Sequence, residues 1–374
     1  MDFALSDDQI LLQDQMNRAF ADLASAPTVS GMVRDNAADT GGLWRDLCEL
    51  GIPGLLVPAV HGGLGAGLLE TALVAEIMGR YAVPSHFLGA VVAAPVAIMA
   101  AGSTEQCSDL LPRIARGDLR IAVAVSEPLA GARHGGGVRL ENGVLNGSAQ
   151  MVVDIGGADL VLVADMQGQL CLIAPDAAGV NRSALDIVDR TRSAACVEFV
   201  GAAPHTVLQG QGQDGALARV GAALRVVVAA DLLGTADHMV ATAVEYAKVR
   251  HQFGRAIGSF QAVKHLCAEM AAEVEAGRAL IWYAAYAQDH GLNDAMLTTL
   301  HAKSYIGDAA RMAARGAIEV HGGIGITDEL NLHIWFKRVT FSTQLFGGPT
   351  RLRQEAAALQ DQGSAQLVRN EVAT

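Results

Sequence analysis

One change of texture governs what this chain can become. From Ile121 to about Leu208 the sequence breaks into short apolar runs, IAVAV, LVLVA, LCLIA and CVEFV, separated by Gly, Asn and Asp. Runs of that kind, bounded by turn formers, are strand sequence. On either side the residues are Ala-rich and spaced as in helices. A helical stretch, a β stretch and a longer helical stretch predict an α+β protein in three parts, 1-118, 119-212 and 213-374. The 374 residues exceed the usual single-domain size, and 51% hydrophobic against 18% charged residues supplies an ample core.

Punctuation refines the picture. Ser6 with Gln9 three residues on resembles a capping box, so a first helix begins there. Trp44, Leu47 and Leu50 mark a second, which stops at Gly51, and GIPGLLVPAVHGGLG reads as a loop. Helical sequence then runs from Leu68 to Ala101 and again after Gly102. Within the β stretch, Glu141-Asn142-Gly143 is a hairpin signal. After a Gly-rich linker, Gln209 to Gly215, comes a helix interrupted by Arg219, Arg225, Asp231 and Asp237, followed by helices at Ser259 to His290, Asn293 to Glu319 and Thr350 to Leu359.

Charge and cysteine usage exclude several classes. A net charge of -12 argues against nucleic acid as a partner, because phosphate-binding surfaces are basic. The five cysteines are scattered and form no C-x-x-C pair, so neither a disulfide framework nor a metal site is expected. The opening MDFALSDDQ lacks the basic, apolar and small-residue succession of a signal peptide. The longest apolar run, Gly89 to Gly102, is broken by Pro95 and falls short of the about 20 residues that span a bilayer. A soluble, cytoplasmic protein is expected.

The stretch with most chemistry is Tyr246 to Met270, two helices meeting at a turn punctuated by Gly254 and Gly258, with Ser259 placed to cap the second helix. It gathers Arg250, Gln252, Phe253, Phe260 and Gln261. Arg grips phosphate by two parallel hydrogen bonds, amides address a heterocycle edge, and Phe packs on rings. An anionic aromatic cofactor suits this set. Plain packing beneath a solvated charge suits it too, and spacing alone leaves both open.

R-x-x-F-G followed by F-Q resembles the flavin-contacting turn of the acyl-CoA dehydrogenase family. The likeness extends along the chain. Pro58, Gly62, Gly63 and Gly65 resemble that family's P-E-x-x-G-G-x-G loop, with Ala59 in the acidic position. EVHGGIGITDELNLHIWFKR resembles its Q-x-x-G-G-x-G segment and following helix, with Glu319 in place of Gln and with Gly322, Gly323 and Gly325 allowing close backbone approach. His321 there reads as a structural or contact residue. The resemblance implies an N-terminal helical domain, a middle β-barrel-like domain and a C-terminal four-helix bundle. It implies FAD as cofactor, an acyl-CoA substrate oxidised between its α and β carbons, and electron-transfer flavoprotein as acceptor. The implied FAD contacts are Arg250, Gln252, Phe253, Phe260, Gln261, Glu319, Gly322 and Gly323.

The same resemblance exposes losses. A carboxylate must remove the α proton. Its commoner family position, nine residues beyond an Arg, falls on Gly347 when counted from Arg338, and the other, just before Arg225, falls on Leu224. The T-E-P-x-x-G-S-D loop survives only as Ser126, Glu127 and Pro128, and the W-I-T strand aligns with Met151, Val152 and Val153. In this family the retained Arg250 turn and HGG loop reach a neighbour's FAD, whereas the lost residues hold the chain's own flavin ring. The pattern resembles the base-lacking partner subunit of a heteromeric acyl-CoA dehydrogenase, of the two-gene kind acting on steroid side-chain thioesters, with FAD shared across a subunit interface. No catalytic residue is assigned. A homo-oligomer with a relocated base such as Asp231, an offshoot with a different flavin reaction, and a purely structural subunit remain alternatives.

Overall fold

The structure, a computed structural model, describes residues 4–34, 41–132, 135–210 and 215–372. Helix α1 (Asp7–Leu23) begins as its capping box requires: the Ser6 N–H donates to Gln9 Oε1 (2.9 Å) and the Gln9 N–H to Ser6 Oγ (3.2 Å). Helix α2 (Ala26–Arg34), not anticipated from the sequence, precedes α3 (Gly41–Glu49), and Gly51 turns the chain out of α3 at φ 74°. Helix α4 (Leu68–Arg80) stops well short of Ala101. The expected continuous helix is broken because Pro84 has no N–H to donate and biases Val83 away from helical geometry, with Ala82 at φ 49° making the bend. The chain re-enters through a π-helical turn, Phe87–Ala93, into α5 (Ala94–Ala101). A second capping box, Ser103 with Gln106, starts α6 (Thr104–Ala115). Gln106 then donates to Thr206 Oγ1 and the Val207 carbonyl, tying this helix to the β segment.

Strand β1 (Ile121–Ala124) is followed by the short α7 (Ser126–Ala130), then β2 (Gly137–Glu141), β3 (Val144–Val153), β4 (Leu160–Ala164), β5 (Leu170–Ile173), β6 (Val180–Ala184), β7 (Ala194–Ala202) and β8 (Thr206–Val207). They form one sheet in the order β6-β7-β3-β1-β4-β5-β8, with β2 on β3. Only the β1–β4 pairing is parallel among the described strands, Ile121 lying opposite Leu160. Asn142 (φ 53°) and Gly143 (φ 78°) make the two-residue turn read from the sequence. Because strand side chains alternate, Ala122, Val161, Val163 and Val197 build a core on one face, while Val123, Leu160, Leu162 and Leu172 on the other belong to the core of the helices.

The linker residues 211–214 lie outside the described residues. Beyond them α8 (Ala216–Val249), nearly all buried along its first two thirds, runs as the axis of the helical part. It crosses α4 where Gly79 faces Asp231 and Gly234 faces Glu76, so closely that a Cβ on either glycine would overlap the opposing backbone. A small hairpin, β9 (His251–Gln252) with β10 (Arg255–Ala256), leads to α9 (Gln261–Asp289). Ser259 does not cap α9. It sits in a 3-10 turn and spends its hydroxyl on the Ala256 carbonyl (2.7 Å), so Phe260 takes the capping position without a side-chain bond. Helices α10 (Ala295–His321), α11 (Leu332–Gln344) and α12 (Pro349–Val372) complete the chain, α12 opening on a proline, whose missing N–H costs nothing there. Among the described residues no helix is long and apolar enough to cross a membrane.

The three stretches are riveted by Arg338 on α11. Its guanidinium meets the Asp231 carboxylate of α8 at 2.5 to 3.2 Å and donates to Thr191 Oγ1 of the β part (2.7 Å) and to the Val83 carbonyl (3.4 Å). Arg192 adds contacts to Asp154 and Asp231 at 3.5 and 3.8 Å.

Candidate cofactor-binding site

The Arg250 turn stands out from the body. At Arg250 the backbone leaves helical geometry (ψ 125°), and the hairpin reverses at Phe253 (φ 52°) and Gly254 (φ 78°). Arg250, Gln252, Phe253 and Gln261 are all exposed. Phe253 is 92% exposed and meets Phe260 edge-on, with ring centroids 6.1 Å apart. Arg255, which the sequence did not single out, lies over the Phe260 ring at 4.1 Å. Among the described residues the Arg250 guanidinium has no ion-pair partner, whereas buried Arg225 and Arg338 each have one. A bulky side chain held at positive φ and presented to solvent is costly on both counts, a combination found at binding surfaces.

The HGG loop lies beside this turn. Helix α10 ends at His321, Gly322 turns at φ 68°, and neither Gly322 nor Gly323 has an atom within 4 Å of a Cβ position, leaving bare backbone open to a ligand. The buried His321 ring donates from Nδ1 to the Ala317 carbonyl (2.7 Å) and stacks on Tyr246 at 4.4 Å. That contact joins the helical turn leading into Arg250 to the residue that precedes Gly322. Glu319, exposed on the last turn of α10, instead lines a groove of about 370 Å³ with Leu266, Glu269 and Arg315.

A separate cavity of about 690 Å³ lies between the β part and α11–α12, lined by Glu127, Gln150, Met151, Phe341, Gln344, Gly347 and Arg351 among others. This is where the chain's own flavin ring and base would be sought. Met151 offers only a thioether, Val153 is fully buried in the helical core, and Glu127 accepts the Gln150 N–H (2.7 Å). Gly347 has φ 113°, a conformation that favours glycine, and a Cβ there would press on Leu352 Cδ2 at 2.9 Å; the position carries no carboxylate. Leu224 is fully buried. Asp231 is 3% exposed, held by Arg338 and Ser342, and does not line this cavity. The outward turn therefore suits the anionic, adenine-bearing part of FAD, while the inner cavity carries Met151 where the family has Trp and Gly347 where it has its base, although Gln344, Thr340 and Arg351 still line it.

Behind the Gly347 turn sit two buried cations: Arg225, known from the sequence only as a landmark, and Lys303, which sequence reasoning missed. Arg225 donates to the carbonyls of Phe346 (3.0 Å) and Leu129 (3.2 Å) and pairs with Glu355 (2.9 Å). Lys303 donates to the carbonyls of Gly347 (2.9 Å) and Thr343 (3.3 Å) and has no carboxylate partner among the described residues. Its only sequence signal was a charge in the buried stripe of α10. Burial, aided by the Arg225 charge, lowers the Lys303 ammonium from its ordinary 10.5 to about 7. Between these values the unfolded chain holds the extra proton, so stability rises with pH across that window and the penalty is fully present below it. Equilibrium denaturation at about pH 7.5 and 9.5 should give wild-type protein a gain of up to about 1.4 kcal/mol per pH unit over Lys303→Met. Parallel slopes in the two proteins would refute it.

Two family models match the chain: "Acyl-CoA dehydrogenase, N-terminal domain" over residues 6–118 and "Acyl-CoA dehydrogenase, C-terminal domain" over residues 211–358. The chain is 33% identical over 321 residues to the acyl-CoA dehydrogenase IpdE2 of Mycobacterium tuberculosis, covering 86% of each protein. Among solved structures it resembles a variant of the Tcur3481-Tcur3483 steroid ACAD, with 28% identity, TM-score 0.85 and coverage of 96% and 99% of the two chains. It also resembles the ChsE4-ChsE5 complex from Mycobacterium tuberculosis, with 25% identity, TM-score 0.84 and the same coverage.

Proposed function

Since this chain belongs to the acyl-CoA dehydrogenase family, we propose that it is the non-catalytic subunit of a heteromeric dehydrogenase, completing the FAD site of a catalytic paralogue. One observation carries the reading. The groups that can bind a nucleotide, Arg250, Gln252, Phe253, Gln261 and the backbone of Gly322 and Gly323, are open to solvent beside half-buried Phe260, whereas the position for a base is a glycine whose positive φ its turn favours. Arg250 would pair with the FAD pyrophosphate, the two Phe rings would cover the adenosine, and Glu319 would border it. FAD, when bound, accepts the β hydride of an acyl-CoA whose α proton goes to a carboxylate of the paralogue. Electron-transfer flavoprotein is the expected onward acceptor. The steroid enzyme among the similar structures favours a bulky steroid side-chain thioester as the substrate class. The parts 1-118, 119-212 and 213-374 act as one subunit, in the cytoplasm, where five free cysteines are at home.

The test is a complex co-expressed with a paralogue that carries the missing Glu. Arg250→Ala should weaken flavin retention by roughly tenfold or more, the worth of a charge-assisted hydrogen bond. Unchanged flavin content would favour a purely structural subunit instead.

The cavity of about 690 Å³ favours a second reading, in which the chain forms a homo-oligomer that keeps a flavin of its own. Purification of this chain alone separates the two. A flavin-loaded, active homomer would exclude the partner-subunit reading.

A further inference from the structure

The Arg250 turn and the Gly322–Gly323 loop come from different helices, yet both are anchored on one aromatic pair. The Arg250 N–H bonds the Tyr246 carbonyl at 2.9 Å, and the Ile257 N–H returns to the Arg250 carbonyl at 2.8 Å, so the hairpin is tied to the helical turn that bears Tyr246. On the other side Gly322 directly follows His321, and Gly325 folds back until a Cβ placed on it would lie 2.9 Å from His321 Cβ. Between them the two rings stack at 4.4 Å and 28°. The Nδ1 bond to the Ala317 carbonyl fixes the rotation of the imidazole. The carbonyl can only accept, so Nδ1 carries the proton.

We infer that the Tyr246–His321 stack is a positioning element, setting the spacing between the Arg250 turn and the Gly322–Gly323 loop so that one nucleotide meets both. This rests on the shared-site reading above. Neither ring need touch the nucleotide: Tyr246 is half-buried and His321 buried. Affinity gained from two loops at once depends on their being held in register beforehand, since ordering them on binding would consume part of that gain. A stack of fixed geometry between the two helix ends provides that order at little entropic cost.

The experiment uses the co-expressed complex with bound FAD, reading the dissociation constant from flavin fluorescence on dilution, and the thermal midpoint alongside. Tyr246→Leu keeps apolar volume but removes the ring, and should weaken FAD binding about three- to tenfold. Tyr246→Phe keeps the stack and should restore wild-type affinity. Leu300→Ala, buried in α10 away from both loops, controls for destabilisation and should leave the dissociation constant unchanged although the midpoint falls. If Arg250→Ala releases FAD and Tyr246→Leu does not, the positioning role is overturned while the shared site stands. If Arg250→Ala has no effect, the shared site itself falls. Equal FAD loss in Tyr246→Leu and Leu300→Ala would overturn the positioning role by assigning the effect to general instability, as would failure of Tyr246→Phe to restore binding.

Discussion

Replacement of Arg338 by methionine should cost about 3–5 kcal/mol of folding stability, because it strands a buried charge. The guanidinium is 2% exposed and neutralises Asp231, itself 3% exposed, from 2.5 Å. Without it, Asp231 keeps only the Ser342 hydroxyl at 3.3 Å and the looser Arg192 contact at 3.8 Å, and the Thr191 hydroxyl and Val83 carbonyl lose a donor. Asp154 and Asp189 also lie within electrostatic reach of Arg338, so the cluster would turn more negative in a dry interior. Denaturant unfolding of the single variant and of Arg338→Met with Asp231→Leu checks the argument. The double variant should recover much of the loss, since removing both charges removes the stranded one. A single-variant loss below about 1 kcal/mol would mean that the carboxylate escapes to water and that the rivet is ornamental.

Gly234→Ala makes a test of sign. On intrinsic propensity the exchange should stabilise α8 by about 1 kcal/mol. The structure demands the opposite, because the new methyl would overlap the Glu76 carbonyl and crowd the Arg80 N–H of α4. Both obstacles are backbone within a helix, and neither can swing aside as a side chain would. The helices must separate, loosening the bond from Thr235 Oγ1 to the Gly79 carbonyl (3.2 Å) and the apolar contacts flanking the crossing. A loss of about 3 kcal/mol is expected, at the upper end of overpacking costs. Calorimetry showing a raised melting temperature would refute the tight crossing.

Features set by local chemistry could be read from residues alone. Ser6 and Ser103 cap their helices because hydroxyl and amide lie three residues apart, and Asn142-Gly143 turns a hairpin because both tolerate positive φ. The Arg250 turn and the glycines at 322 and 323 were likewise recognisable by motif, although the exposure of Phe253 and the ring of Phe260 beneath Arg255 were not. Pro84 was visible, but the apolar residues around it mimic an uninterrupted helix and hid its effect. What escaped altogether was long-range. Arg192, Asp231 and Arg338 are scattered along the chain and meet only in the folded interior, and nothing local to Lys303 announces that its partners are the carbonyls of Thr343 and Gly347. Alanine-rich helices add to this, since a helix small and apolar on every side does not declare which side faces inward.

The sheet has two unlike faces, and therein lies a constraint on where the chain can be divided. Neighbouring residues of a single strand, Ala122 and Val123, belong to different interiors, so the frontier between the β part and the helices is one layer of backbone thick. A fragment cut at either end of the sheet would carry half of someone else's oil. Separated from the helices, the sheet would present Val123, Leu160, Leu162 and Leu172 to water, so the β part and the helices depend on one another for their folded state.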